Sequence, residues 1–181
     1  DIDIDRVICL DNQCDNEKLE YCRIDCDIES CVNTIVTKSI LTCTMASCNF
    51  MQADNSNVTC TDTSCRSSNF DKSFVDCQTW GSCNNNYNNQ GTTSENGNGG
   101  GTYPRTNTKF LSSSVHCVLD ACENADFLAC SCCDGQGCPD KDSIGRPLPS
   151  CHSDTTGFCN STYLGSTCAH WGNPICNDIL D

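Results

Sequence analysis

Aliphatic residues return along this chain at a fixed distance: Val7, Ile24, Leu41, Val58 and Val75 stand 17 residues apart. A second apolar column, Leu19, Val36, Ala53 and Phe70, keeps the same step. Between the columns the chain is mostly polar, and in Val58-Thr59-Cys60-Thr61 inward and outward residues alternate. That two-residue period is expected of a strand with one buried face. Seventeen residues are too few for a helix pair with its turns, and helical solenoids repeat at roughly thirty residues or more. Each unit therefore reads as one rung of a β-solenoid, with short strands joined by tight corners.

Cysteine follows the same period. Cys9, Cys26, Cys43, Cys60 and Cys77 are 17 residues apart, each two residues after an aliphatic position, and Cys14, Cys31, Cys48 and Cys65 keep that step. Cys83 breaks the register by one residue. Ser39, Ser56 and Ser73 share a position that Asp5 and Cys22 occupy in the first units. A displaced sixth unit repeats the plan with Ser113, Val115, Cys117, Cys122, Asn124 and Phe127. Cys133 and Cys138, the first of them 16 residues after Cys117, read as an imperfect seventh coil.

The expected fold is all-β: a disulfide-rich β-solenoid of 17-residue rungs over residues 1–138, with a loop insertion at about 84–113. Residues 139–181, with Pro139, Pro147, Pro149 and Pro174 among their cysteines, read as a loop-rich disulfide module, a cap or a contact surface. Rungs about 4.8 Å apart make a rod on the order of 30 Å tall. Its interior is expected to hold on the order of one or two side chains per rung, too thin a core to stand without covalent help.

If the repeating pairs close within their own rungs, the bonds are Cys9–Cys14, Cys26–Cys31, Cys43–Cys48, Cys60–Cys65, Cys77–Cys83, Cys117–Cys122 and Cys133–Cys138. Bonding between adjacent rungs is the alternative that spacing leaves open. Cys22, Cys130, Cys132, Cys151, Cys159, Cys168 and Cys176 remain, an odd number, so one is expected to be unpaired or bonded to another molecule. Zinc is disfavoured as the use of these pairs, because sulfurs in register form ladders where a zinc site clusters its ligands locally. The three histidines, His116, His152 and His170, stand in no metal motif, and no metal or cofactor is expected.

The density of 21 cysteines in 181 residues belongs to secreted scaffolds. The start at Asp1, with neither methionine nor an apolar leader, reads as a processed mature chain, and no apolar run approaches the ~20 residues of a membrane span. A formal net charge of −14 argues against nucleic acid and anionic membrane as partners. Two N-glycosylation sequons start at Asn57 and Asn160, and Asn57, beside the inward Val58, is expected to face solvent.

Thr42-Cys43-Thr44 and Thr59-Cys60-Thr61, the second followed by Thr63-Ser64-Cys65, resemble the rungs of beetle antifreeze proteins. Those are small disulfide-rich β-solenoids in which Thr-Cys-Thr strands repeat and each coil is closed by its own disulfide. The resemblance implies fold and disulfide habit for two rungs of six; elsewhere the outward pairs are Ile8 and Leu10, Asp25 and Asp27, Asp76 and Gln78, His116 and Val118. The chain is also similar, more loosely, to repetitive cysteine-rich surface and flagellar-hair glycoproteins of protists and algae.

Catalysis is not expected. Asp25, Asp27, Asp62, Asp71 and Asp76 fall on successive rungs and would need to gather to work as paired carboxylates on a glycan. Asp25, Asp27 and Asp1, Asp3 and Asp5 lack the spacing of a calcium loop. The favoured function is a secreted structural glycoprotein, a subunit of an extracellular filament or cell-surface appendage that joins other copies of itself head-to-tail through its rod ends. Ile2 and Ile4, in an alternating Asp-Ile-Asp-Ile-Asp start, are the expected assembly residues. The alternative is a monomeric extracellular binding module for a glycan, a receptor or ice.

Overall fold

The computed structural model describes residues 6–84, 107–128, 131–142 and 144–151. Ile2 and Ile4, Asn160, most of the insertion, and most of the 139–181 module lie outside the described residues. Those described contain no helix and wind into a parallel β-solenoid. One sheet has seven strands: β1 (Arg6–Cys9), β3 (Arg23–Cys26), β5 (Ile40–Cys43), β7 (Asn57–Cys60), β9 (Phe74–Cys77), β11 (Ser114–Cys117) and β13 (Cys132–Asp134). The other has six: β2 (Lys18–Glu20), β4 (Ile35–Thr37), β6 (Gln52–Asp54), β8 (Asn69–Asp71), β10 (Lys109–Leu111) and β12 (Asp126–Leu128). Each of the first six rungs contributes one strand to each sheet, and like residues stack, Cys9 on Cys26, Cys26 on Cys43 and Cys43 on Cys60.

The two sheets turn their inner faces to one shared core. From the first sheet come Ile24, Leu41, Val58, Val75 and Val115, and from the second Val36, Ala53, Phe70, Phe110 and Phe127, all buried. The aromatic end is continuous: the Phe70 and Phe110 rings lie 5.3 Å apart, Phe110 and Phe127 4.9 Å, distances at which offset rings attract. The interior is fuller than the one or two side chains expected. The fourth rung alone turns in Val58, Cys60, Ser64, Cys65, Ser68, Phe70 and Ser73, because both its strands and its corners face inward.

The corners use left-handed backbone in ordinary residues, Asn16, Asn33, Phe50 and Ser67 in one column, Tyr21, Lys38, Asn55 and Lys72 in another. Such a conformation costs roughly 1–2 kcal/mol for a residue with a Cβ. The return is a peptide that points along the rod. Strand residues donate to the rung before, as Ile40 N–H does to Cys22 and Asn57 N–H to Ser39, whereas Tyr21, Lys38 and Asn55 donate to the rung after, at Thr37, Asp54 and Asp71. These inner corners are thereby bonded up and down the stack, as buried backbone requires.

Buried serines finish the accounting. Ser39, Ser56, Ser73, Ser113 and Ser131 form a ladder in which each Oγ accepts an N–H of the preceding rung: Cys22 to Ser39, Ser39 to Ser56, Ser56 to Ser73, Ser73 to Ser113, Ser113 to Ser131. Ser39, Ser56, Ser73 and Ser113 each donate to a carbonyl two residues back. A second ladder runs from Ser30, Ser47 and Ser64 to the carbonyls of Cys9, Cys26 and Cys43.

The within-rung disulfides are Cys9–Cys14, Cys26–Cys31, Cys43–Cys48, Cys60–Cys65, Cys77–Cys83, Cys117–Cys122 and Cys133–Cys138. Loops this short gain about 2 kcal/mol each from chain entropy. Regular coil resumes before the expected end of the insertion, since Lys109–Leu111 already stacks on Asn69–Asp71. The seventh rung is out of step: Cys132 stacks on Ser114 and Cys133 on Val115, so its disulfide starts in the aliphatic column. Gly135 then follows where the cysteine column would continue, and a Cβ there would collide with the Cys117 carbonyl.

Candidate functional site

Four surfaces are available: the outer face of each of the two sheets, and the two ends. On the first sheet one outward column runs Ile8, Asp25, Thr42, Thr59, Asp76, His116, Asp134. Thr42 and Thr59 stack, and at the next outward position Thr44 and Thr61 follow, but Asp27 replaces threonine one rung earlier and its carboxylate accepts the Thr44 hydroxyl at 2.6 Å. The threonine array thus ends after two rungs on both sides.

The aspartates do not gather. Asp25 is held by Arg6, at 2.7 Å, and Asp76 by His116 Nδ1, at 2.9 Å. Thr42 and Thr59 lie between them in the column, which at ~4.8 Å per rung places them about 14 Å apart. Glycoside hydrolysis needs its two carboxylates within about 5–9.5 Å. Asp71 is on the opposite sheet and Asp62 at a corner. Neighbouring rungs do bring sulfurs together, with Cys26, Cys43 and Cys48 within 4.8 Å of one another, but all are oxidised and offer no thiolate to a metal.

Asn57 and Thr59 both point outward from β7 with Val58 fully buried between them. Asn57 stacks between Ile40 and Phe74. The second sheet carries a groove of about 330 Å³ lined by Ile35, Gln52, Asp54, Asn69, Leu111 and Leu128 among others. Gln52 stacks on Asn69 and Asp54 on Asp71, so amides and carboxylates recur one rung apart.

Cys22 is the free cysteine among the described residues, and it is half-buried. It stands in the serine column, and its thiol donates to the Glu20 carbonyl as the serines below it do to theirs. Cys132, left over by the pairing above, is bonded to Cys151. Cys130, Cys159, Cys168 and Cys176 lie outside the described residues.

The ends differ. At the start of the rod, β1 and β2 are edge strands. Asp27, Thr44, Thr61 and Gln78 donate their N–H to the first cysteine of the preceding rung; Leu10, in the same column, has no such rung among the described residues and donates to its neighbour Gln13 Oε1 at 3.3 Å. Ile8 and Leu10 are 55% and 44% exposed beside it. At the far end, residues 144–151 return to β13. Cys133 N–H donates to Pro149, Cys151 N–H to Asp134 Oδ1, and Ser150 Oγ to the same oxygen.

Asp142 anchors that return. Burial works to raise its carboxyl, but the Arg146 N–H, the Arg146 guanidinium at 2.8 Å and the Ile144 N–H outweigh it and hold the group below the ordinary carboxylate range. From the sequence, residues 139–181 read as a cap or a contact surface, and Cys132 was not paired with Cys151; the available signal was the adjacent pair Cys132-Cys133, which must leave one sulfur facing away from its rung. The density of disulfides is typical of extracellular proteins, and no helix among the described residues is long and apolar enough to cross a membrane. The chain matches no protein-family model, no curated protein and no solved structure.

Proposed function

We propose that this chain is a secreted structural glycoprotein, a subunit of an extracellular filament or surface appendage that grows by joining rod ends. The observation that carries it is the N-terminal edge. Among the described residues β1 is an edge strand of its sheet, in later rungs the N–H groups at the Leu10 position bond the preceding strand, and Leu10 itself turns to the Gln13 side chain. Open parallel edges add strands from other chains. N-glycans on Asn57 would sit on the side of the rod, keeping faces from stacking while leaving the ends clear.

The test is particle length. Glycosylated chain is followed by light scattering and negative-stain imaging as concentration rises, beside Ile8→Pro, which removes an edge donor without entering the core. Rods in multiples of the single length, shortened to single rods by Ile8→Pro, support the reading. Single rods at every concentration, with Cys132→Ser/Cys151→Ser as well as without, overturn it. The groove on the second sheet favours a second reading, a monomeric binding module; a Gln52→Ala loss of glycan-array binding would distinguish it.

A further inference from the structure

Head-to-tail joining asks for an open edge at each end, and the C-terminal edge of the first sheet is occupied by the chain itself. Along β13 the donors alternate. Cys132 N–H turns back to Ser113, so Cys133 N–H, one residue on, faces away from the rod, and it bonds Pro149. This is the position where the next rung's strand would lie.

The occupying segment is latched in several ways. Cys151 is buried and bonded to Cys132. Its N–H and the Ser150 hydroxyl both donate to Asp134. Upstream, Asp142 ties the turn to Arg146, Lys141 pairs with Pro147, and Leu148 N–H reaches Asp140. Yet the segment does not extend the ladder, because Pro147 and Pro149 have no N–H to pass on. It ends the sheet where a regular strand would have continued it.

We propose that residues 144–151 are an autoinhibitory strap, covering the β13 edge that would otherwise receive β1 of a second copy. The inference rests on the end-joining reading above and adds what holds it in check. The two edges fit one another by column. Stacked in register, Val7 of the second copy continues the inner column on Cys133, and Arg6 lies diagonal to Asp134. These are the two columns in which Arg6 already holds Asp25 at 2.7 Å. The strap takes both points of attachment, the Cys133 N–H and the Asp134 carboxylate, so strap and second copy exclude each other.

The experiment uses the full chain, its Cys132→Ser/Cys151→Ser form, and Ser150→Ala as a milder release that keeps the disulfide. Rod length is read by light scattering and imaging, and amide exchange is read at Cys133 and through β3 to β12. The expected result is that rods appear at about tenfold lower concentration in the double variant than in the parent, with Ser150→Ala between them. Exchange from β3 to β12 stays unchanged, and if the double variant loses that protection, Ser150→Ala decides alone. Parent rods that form as readily as the variant's, with the Cys133 amide still protected by the strap inside them, overturn the strap and leave end-joining standing. Single rods in every form, although the Cys133 amide is released, overturn end-joining and the strap with it.

Discussion

The middle of the rod and its first described rung are built from the same unit and differ in having described neighbours on both sides or on one. In the fourth rung Val58, Cys60, Cys65 and Ser64 are fully buried; in the first, Val7 and Cys14 are partly exposed. The fourth rung's Thr61 N–H finds the Cys43 carbonyl, and the first rung's Leu10 N–H finds only a glutamine side chain. No local sequence change produces this difference. In a solenoid each rung is stabilised by its interfaces, so a terminal rung loses half of them whatever its residues.

The largest test of that contrast is aromatic. Phe110 is packed between Phe70 and Phe127, and Phe110→Ala should cost about 3–5 kcal/mol of unfolding free energy, as for other buried phenylalanines. Leu19, at the open end of the same column, is only partly buried, and Leu19→Ala should fall below the ~2 kcal/mol floor of core leucines. Denaturant midpoints check both. Equal losses would mean that the first rung is covered as fully as the fifth.

A smaller contrast lies in the serine ladder. Ser56→Ala leaves the buried Ser39 N–H without its acceptor, which should cost about 1–3 kcal/mol. Cys22→Ala, in the same column at the half-buried end, removes a thiol that donates to one carbonyl, and should stay within about 0.5 kcal/mol. Thermal unfolding of the two variants checks the ranking. A Cys22→Ala loss as large as that of Ser56→Ala would show that the thiol is a working member of the ladder.

The repeat was legible because stacking in register demands like residues at like positions, and Val58, Cys60, Ser56 and Phe70 each announce a column. What the period could not show is where it stops. The fullness of the core was also hidden, since Ser64, Ser68 and Ser73 are polar yet turn inward, where each hydroxyl donates to a backbone carbonyl. The strap was invisible for a related reason: Asp134, Ser150 and Asp142 act through contacts made once, and a contact made once leaves no period. The aspartates do not gather because adjacent rungs share a column only when their offsets match, and Asp62, Asp71 and Asp76 have different offsets.

The smallest expected effect concerns the strapped end alone. Asp142 has a carboxyl held below the ordinary range, so in the folded state it keeps its charge at a pH where the unfolded chain has begun to protonate. A depressed carboxyl contributes stability that is fully present above the unfolded value, about 3.9, and is lost as pH falls through the folded one. Acid should therefore loosen the turn at Arg146 before it touches the rungs, whose fully buried hydrogen bonds are made by backbone groups and serine hydroxyls. Protection of the Arg146 and Ile144 amides, both donors to Asp142, taken relative to their intrinsic exchange rates, should fall below about pH 4 while that of β5 and β7 holds. Asp142→Asn, neutral throughout, should remove the pH dependence of that protection and leave these two amides as weakly protected at neutral pH as in acid. If the amides of β5 lose protection in step with them, strap and rungs unfold as one unit, and the two ends of the rod differ in shape but not in stability.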